Sequence, residues 1–313
     1  MSSSSTRGLG WVGITSLIVC VVLIALLVAA TLIFRWDKQV LLAWQEQQTD
    51  AKTRAQSVWL PDYRLVYETD ISLPAKDELS GLSWSPQTNS LFAVTGPTAA
   101  LVELSLQGAV LRRTNLQNLS DPEGIEVLPS GLIGIVDERR RRLFLVAQDA
   151  LKAESLDMNH VPSFDLGFAD AANKGFEGLG WDSVQSRLVF AKERDPIALL
   201  HAVLPTQDAP LVLTEQISAH SLIVRDLSSV TFDARTGHLL LLSDESHAIL
   251  ELDQQGKPRS FMRLLAGFSG LERGIRQAEG LAIDNTGRIY VVGEPNHLYV
   301  FERTQHDSRS AKP

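Results

Sequence analysis

Hydrophobic and polar positions divide this chain into two unlike regions. From Trp11 to Phe34 the run is apolar apart from Thr15, Ser16 and Thr31, and no charge falls within it. Arg7 precedes the run, and Arg35 and Lys38 follow it. A helix of that length rises roughly 36 Å, enough to cross a hydrocarbon core of about 30 Å with some tilt. The pattern therefore predicts a transmembrane signal anchor over 11–34, after a short polar tail at 1–10. A cleaved signal peptide would have a shorter apolar region and end in small residues, whereas this run ends Leu32-Ile33-Phe34-Arg35-Trp36. A lipoprotein would place a small residue before Cys20, where Val19 stands. The next segment, 35–60, is rich in Gln, Ala and charged residues, carries Val40, Leu41 and Trp44 near the membrane, and reads as a helical stalk that Pro61 ends.

Beyond Pro61 the pattern changes to short apolar strands separated by turn residues, and it repeats. Five segments superpose: Ser80-Gly81-Leu82-Ser83-Trp84, Glu123-Gly124-Ile125-Glu126-Val127, Glu177-Gly178-Leu179-Gly180-Trp181, Ser228-Ser229-Val230-Thr231-Phe232 and Glu279-Gly280-Leu281-Ala282-Ile283. Their starts lie 43, 54, 51 and 51 residues apart, a spacing that suits one four-stranded propeller blade per repeat. Turns such as Asn285-Thr286-Gly287 and Gln254-Gln255-Gly256 put glycine where a hairpin needs positive φ. The fifth repeat runs out after its third strand, while Leu65 to Leu73 is an unassigned strand before the first repeat. Placed as the outer strand of the last blade, it would hide two open edges and close the ring. The expected fold is all-β: a five-bladed β-propeller over 61–305 after one transmembrane helix, with 306–313 as a disordered tail. Six blades would result if Ala153 to Leu166 held a degenerate one, and an open β-sandwich is the remaining alternative.

Charge narrows the partners. The chain has 37 acidic and 29 basic side chains; without the anchor and its tail it is more acidic still, which argues against nucleic acid. One basic cluster survives at Arg139-Arg140-Arg141-Arg142, where a hairpin tip carries it or where phosphate or lipid headgroups bind. Cys20 is the sole cysteine, so the soluble part needs no disulfide in either compartment. Counting Lys and Arg on the two flanks of the anchor leans toward a cytoplasmic C-terminal side. The opposite orientation is expected, because a short polar N-terminal tail is easily retained and the family resemblance below points outward.

The motifs Asp121-Pro122-Glu123-Gly124-Ile125-Glu126, Val136-Asp137-Glu138-Arg139, Gly175-Phe176-Glu177-Gly178-Leu179, Lys192-Glu193-Arg194-Asp195-Pro196, Ser243-Asp244-Glu245-Ser246, Gln277-Ala278-Glu279-Gly280 and Glu294-Pro295-Asn296 follow the anchor in that order. In that order they resemble the SdiA-regulated, YjiK-like family of bacterial envelope proteins, over roughly Tyr63 to Phe301. The resemblance implies a propeller held at the cell inner membrane with its C-terminal domain in the periplasm. It implies no settled activity.

In a propeller the inner strand starts, and the second strand ends, on the face that usually carries ligands. Ser80, Glu123, Glu177, Ser228 and Glu279 hold the first place, and Gly96, Glu138, Glu193, Glu245 and Glu294 the second, with Asp137 and Asp244 beside them. So many carboxylates at one mouth require raised pKa values, bound cations, or basic neighbours, for which Lys192, Arg194, Arg139, Arg273 and Arg276 are candidates. Calcium, which takes six to eight oxygen ligands, is the cofactor expected, with Glu123, Glu177 and Glu279 as its ligands. Glu138, Glu193, Arg194, Glu245 and Glu294 are expected to bind a ligand, and the competing reading makes the glutamates structural partners of arginines on neighbouring blades. His247 and His297 are read as ordinary loop histidines. Gly-x-Ser-x-Gly, His-Glu-x-x-His, phosphate-loop and EF-hand signatures are all absent. The leading expectation is a binding or scaffolding propeller whose partners are the membrane and a small molecule or envelope protein. The alternative is a metal-dependent periplasmic hydrolase using the same carboxylates.

Overall fold

Alternate residues of a strand face opposite ways, so a strand buried on both faces serves two cores. In Ser90–Thr95, Leu91 and Ala93 pack toward one neighbouring blade, whereas Phe92 and Val94 pack toward the other. The buried apolar side chains accordingly fall into five clusters, one at each junction between adjacent blades. The computed structural model, which describes residues 11–33, 35–167, 175–206, 211–218 and 222–304, is a five-bladed β-propeller.

The inner strands are Leu79–Ser85, Pro122–Val127, Phe176–Asp182, Ser229–Asp233 and Ala278–Ile283. Each contacts the inner strands of both neighbours, which closes the ring around a central channel. Glycine permits the close approach. A Cβ on Gly81 would stand 2.3 Å from the Glu123 carbonyl oxygen, and φ there is +57°.

Blade 5 takes its outer strand from the other end of the domain, as expected. Tyr63–Asp70 runs antiparallel to His297–Arg303, with Tyr63 opposite Arg303 and Asp70 opposite His297. There is no sixth blade among the described residues. Within 153–166 lie two three-residue strands that finish existing blades: Ser155–Asp157 adds in parallel to the edge of blade 1, and Ser163–Asp165 becomes the outer strand of blade 2.

Helix α1 spans Trp11–Ile33, α2 spans Trp36–Gln48 and α3 spans Ala51–Ala55. Among the described residues no helix is long and apolar enough to cross a membrane. The described side chains of α1 from Thr15 to Ala29 are all exposed, and none of them joins a core cluster of the described residues. Segment 35–60, by contrast, folds back along blade 4. Leu42 is buried in the core between blades 3 and 4, and one turn later Glu46 Oε1 accepts the Phe261 N–H at 2.8 Å. The Arg35 guanidinium donates to the Leu222 carbonyl. The fully buried Glu251 carboxylate then accepts the N–H groups of Val58 and Trp59 at 2.8 and 3.0 Å, with His238 Nδ1 2.6 Å from it and the Ser260 hydroxyl also donating. Val40, Leu41 and Trp44 stay exposed on the other side of α2.

Candidate metal centre at the channel mouth

A β-bulge sets the acidic mouth. In blades 2, 3 and 5 the pairing of inner and second strands slips by one residue, and the extra residue is Glu123, Glu177 and Glu279 respectively. A bulged residue has no partner across the ladder and is turned out of the pleat, so each glutamate points toward the axis at the same level. Blade 4, with Ser228-Ser229 in place of Glu-Gly, has no such slip.

Three glutamates that are distant in sequence thereby come into one electrostatic environment. Burial pushes the Glu123 carboxyl up to about 8, against a hydrogen bond from Ser80, and repulsion from Glu279, Asp121 and Glu138 adds to the rise. Desolvation likewise lifts Glu279 to about 8, with Asp244, Glu294 and Asp226 repelling its charge and Arg194 opposing them. Glu177 is raised well above the usual carboxylate range by burial and by Glu279, Glu123, Glu138 and Asp226. Burial also raises Glu138, Asp226 and Glu294.

Among the described residues the basic side chains offset only part of this charge. Arg194 pairs with Glu193 and, at 2.6 Å, with Glu245, whose second oxygen meets Arg225 at 3.1 Å. Arg139 reaches Asp121 at 3.1 Å. Lys192 donates to the carbonyls of Arg194 and Pro196. Arg276 is exposed, and among the described residues neither it nor Arg273 bonds to a carboxylate of the mouth. Glu123, Glu138, Glu177, Glu279 and Glu294 form no ion pair among the described residues.

Two oxygen clusters result. Asp121, Glu123 and Glu138 bring one carboxylate oxygen each within 4.8 Å of one another, and Glu138, Glu177 and Glu193 do the same. Ligands on opposite sides of a calcium ion at about 2.4 Å from it are about 4.8 Å apart, so either cluster fits around one ion. All-oxygen donors suit calcium, magnesium or manganese better than zinc. Glu138 belongs to both groups, and its carboxylate is fixed by the Gly175 N–H at 2.7 Å. A Cβ on Gly175 would stand 2.6 Å from Glu138 Cγ, so glycine is what lets that side chain lie there.

Each residue singled out from the sequence can now be placed. Glu123 and Glu177 enter different clusters; Glu279 enters neither and faces Asp244 and Glu294. Glu138 and Glu193 join the clusters, while Glu245 is taken up by Arg194 and Arg225. In blade 4 the second strand ends at Ser243, so Asp244 holds the place that Glu138, Glu193 and Glu294 hold elsewhere, and it accepts the Ala278 N–H at 3.0 Å. His297 pairs with Asp70 at 2.7 Å on the outer strand pair, and neither it nor His247 enters a metal cluster. Asp121, Asp226 and Arg225 were not foreseen as site residues. A signal for two of them existed, since Asp121 and Asp226 each stand two residues before the first position of their repeat. Asp226 is buried and accepts from the Ser243 hydroxyl and the Glu245 N–H, which holds the blade 4 turn at the mouth.

Among solved structures the chain is similar to a glutaminyl cyclase of Myxococcus xanthus, with 16% identity, 77% of this chain and 95% of that one covered, and a TM-score of 0.52. It is also similar to a chain of a nidogen/laminin complex, at 18% identity, 70% and 73% coverage and a TM-score of 0.48. A Staphylococcus aureus virginiamycin B lyase follows, at 11% identity, 77% and 99% coverage and a TM-score of 0.46. The cyclase likeness bears on fold alone. The family model described as SdiA-regulated matches residues 55–302, which takes in the closing strand and all five blades, and the chain therefore belongs to the SdiA-regulated family.

Proposed function

We propose that this protein is a binding propeller of the inner membrane whose periplasmic mouth is completed by a hard divalent cation, calcium first among them. The observation that carries the reading is the pair of oxygen clusters sharing Glu138, in each of which two of the three carboxylates form no ion pair among the described residues. Without a cation the mouth relieves repulsion by holding protons; a cation replaces those protons and draws the oxygens into coordination. The ordered mouth then presents Glu294 and the Arg194–Glu245 pair to a polar small molecule or to an envelope protein.

Thermal melts of the full-length chain in detergent test this. Addition of calcium, magnesium or manganese after chelation is expected to raise the melting temperature by mass action, by an amount corresponding to about 2.7 kcal/mol at a hundred times the dissociation constant. Glu138→Gln, which touches both clusters, is expected to abolish the shift. No response to any of the three ions would overturn the reading.

Protons held by Glu123 and Glu279 at neutral pH also suit general acid catalysis, and this favours a second reading as a metal-dependent hydrolase of a small ester, lactone or phosphate. Metal-dependent turnover of a chromogenic ester or phosphate that Glu138→Gln abolishes would select it over simple binding.

Membrane attachment is supported by the uncharged run from Trp11 to Phe34 and by α1, whose apolar side chains from Leu17 to Val28 find no partner in the domain. The full chain is expected to fractionate with membranes and a chain beginning at Arg35 to be released. Recovery of the unaltered protein from the soluble periplasm, shortened by about 30 residues, would instead identify a cleaved leader.

A further inference from the structure

The channel has a second end, and its chemistry is the opposite of the first. The inner strands finish there around a cavity of about 320 Å³. Its walls include Trp84, Trp181 and Phe232, which hold the same place in blades 1, 3 and 4 and are only half-buried, so aromatic surface faces the cavity. One residue earlier in each blade stand Ser83, Glu126, Gly180, Thr231 and Ala282. The Glu126 carboxylate reaches from blade 2 toward Ser83 of blade 1.

Glu126 is held in place by neutral donors and has no basic partner among the described residues. Its Oε2 accepts the Ser83 hydroxyl at 2.9 Å, Ser83 Oγ accepts the Val127 N–H at 3.0 Å, and the Trp181 N–H donates to the same carboxylate. Among the described residues no charged group of either sign acts on it. The other charges on the cavity wall are already engaged. Asp233 pairs with Arg235 at 2.8 Å, and Asp284 accepts from Thr286, Arg288 and Tyr290.

A single oriented carboxylate with no counter-charge, facing three aromatic rings, fits one class of ligand. A metal ion would find too few oxygens, and a neutral ligand would leave the carboxyl protonated and its charge unused. An organic cation satisfies both surfaces, because its charge meets the carboxylate and its methyl or methylene groups lie over ring faces, where the quadrupole attracts them. We propose that this end of the channel binds a small organic ammonium ion, with its head against Glu126 and its substituents against Trp84, Trp181 and Phe232. The site is separate from the acidic mouth and does not depend on a metal there. Burial holds the empty Glu126 carboxyl at about 8, so binding near neutral pH expels a proton.

The test uses the full-length chain in dodecyl maltoside with chelator present, following tryptophan fluorescence during titration with tetramethylammonium, choline and 3,3-dimethylbutan-1-ol, the neutral isostere of choline. Saturable binding of both cations is expected, about tenfold or more tighter than that of the alcohol, with uptake by buffer of a proton released from the protein. Glu126→Gln keeps the volume and is expected to reduce cation affinity to that of the alcohol, and Trp181→Leu to weaken it. Absence of saturation by either cation, equal affinity for alcohol and choline, or undiminished cation affinity in a folded Glu126→Gln protein would each overturn the proposal. If that variant does not fold, the comparison of choline with its isostere on the unaltered chain decides alone.

Discussion

Glu251 and Glu177 are both carboxylates withdrawn from water, and they are treated in opposite ways. Around Glu251 the chain supplies two backbone N–H groups, a hydroxyl and an imidazole, so every oxygen is occupied. Around Glu177 it supplies Glu279, Glu123, Glu138 and Asp226, all of which repel it. A buried acid met by donors acts as a fastener, and here it holds the N-terminal segment against blade 4. A partly buried acid met by other acids stabilises nothing by itself, and its placement makes sense only if a cation or proton completes it.

The largest expected effect comes from removing the fastened segment in steps. A chain beginning at Pro61 keeps the closing strand and loses two of the four donors to Glu251; one beginning at Glu78 also strips Tyr63–Asp70 from blade 5 and exposes the edge of His297–Arg303. Denaturant melts should show partial destabilisation in the first and loss of cooperative unfolding in the second. Equal midpoints for the two chains would mean that ring closure contributes little.

Side-chain replacement separates the two acids next. Glu251→Ala leaves four donors unsatisfied in a dry site and is expected to destabilise the domain by about 3–5 kcal/mol. Glu177→Gln, in metal-free protein, replaces a carboxyl whose ionisation its neighbours oppose with a neutral group of the same shape, and is expected to leave stability unchanged or raised. Were Glu177→Gln to destabilise as much as Glu251→Ala, the mouth would be a structural network after all.

A smaller effect follows from pH. Glu123 and Glu279 rise from an ordinary 4.5 to about 8 in the folded state. Between those values the folded protein keeps protons that the unfolded chain has released. Their contribution to stability is therefore fully present below about pH 4.5 and lost as pH rises through about 8. Metal-free melts should show stability falling over that window, and calcium should flatten the fall. Smallest of all, Arg276→Ala is expected to change stability by under about 0.5 kcal/mol, as for other exposed residues.

The sequence made the ring legible because each blade repeats one local pattern, and even the closing strand followed from counting strands. It also located the glutamates at the strand starts, since Glu-Gly recurs there in three blades. Which oxygens meet was not legible. Glu138 is oriented by Gly175, and Asp226 precedes the one inner strand that lacks the bulge, where the repeat is weakest. In blade 4 the repeat points to Glu245, whereas Asp244 holds that place in the structure, and in a strand or its turn a single-residue step changes what a side chain faces. The fastening of segment 35–60 was invisible for a different reason: Glu46 and Phe261 lie 215 residues apart, and nothing in a local pattern links them.

Titration calorimetry of calcium into metal-free full-length protein, run at pH 7 in two buffers of different ionisation enthalpy, decides whether a cation completes the mouth. Protons held at the mouth must leave when the ion enters, so the account predicts saturable binding with an observed heat that depends on the buffer, corresponding to net proton release, and tighter binding at pH 8.5 than at pH 6. A flat titration with calcium, magnesium and manganese, or binding with no proton release and no dependence on pH, would contradict it.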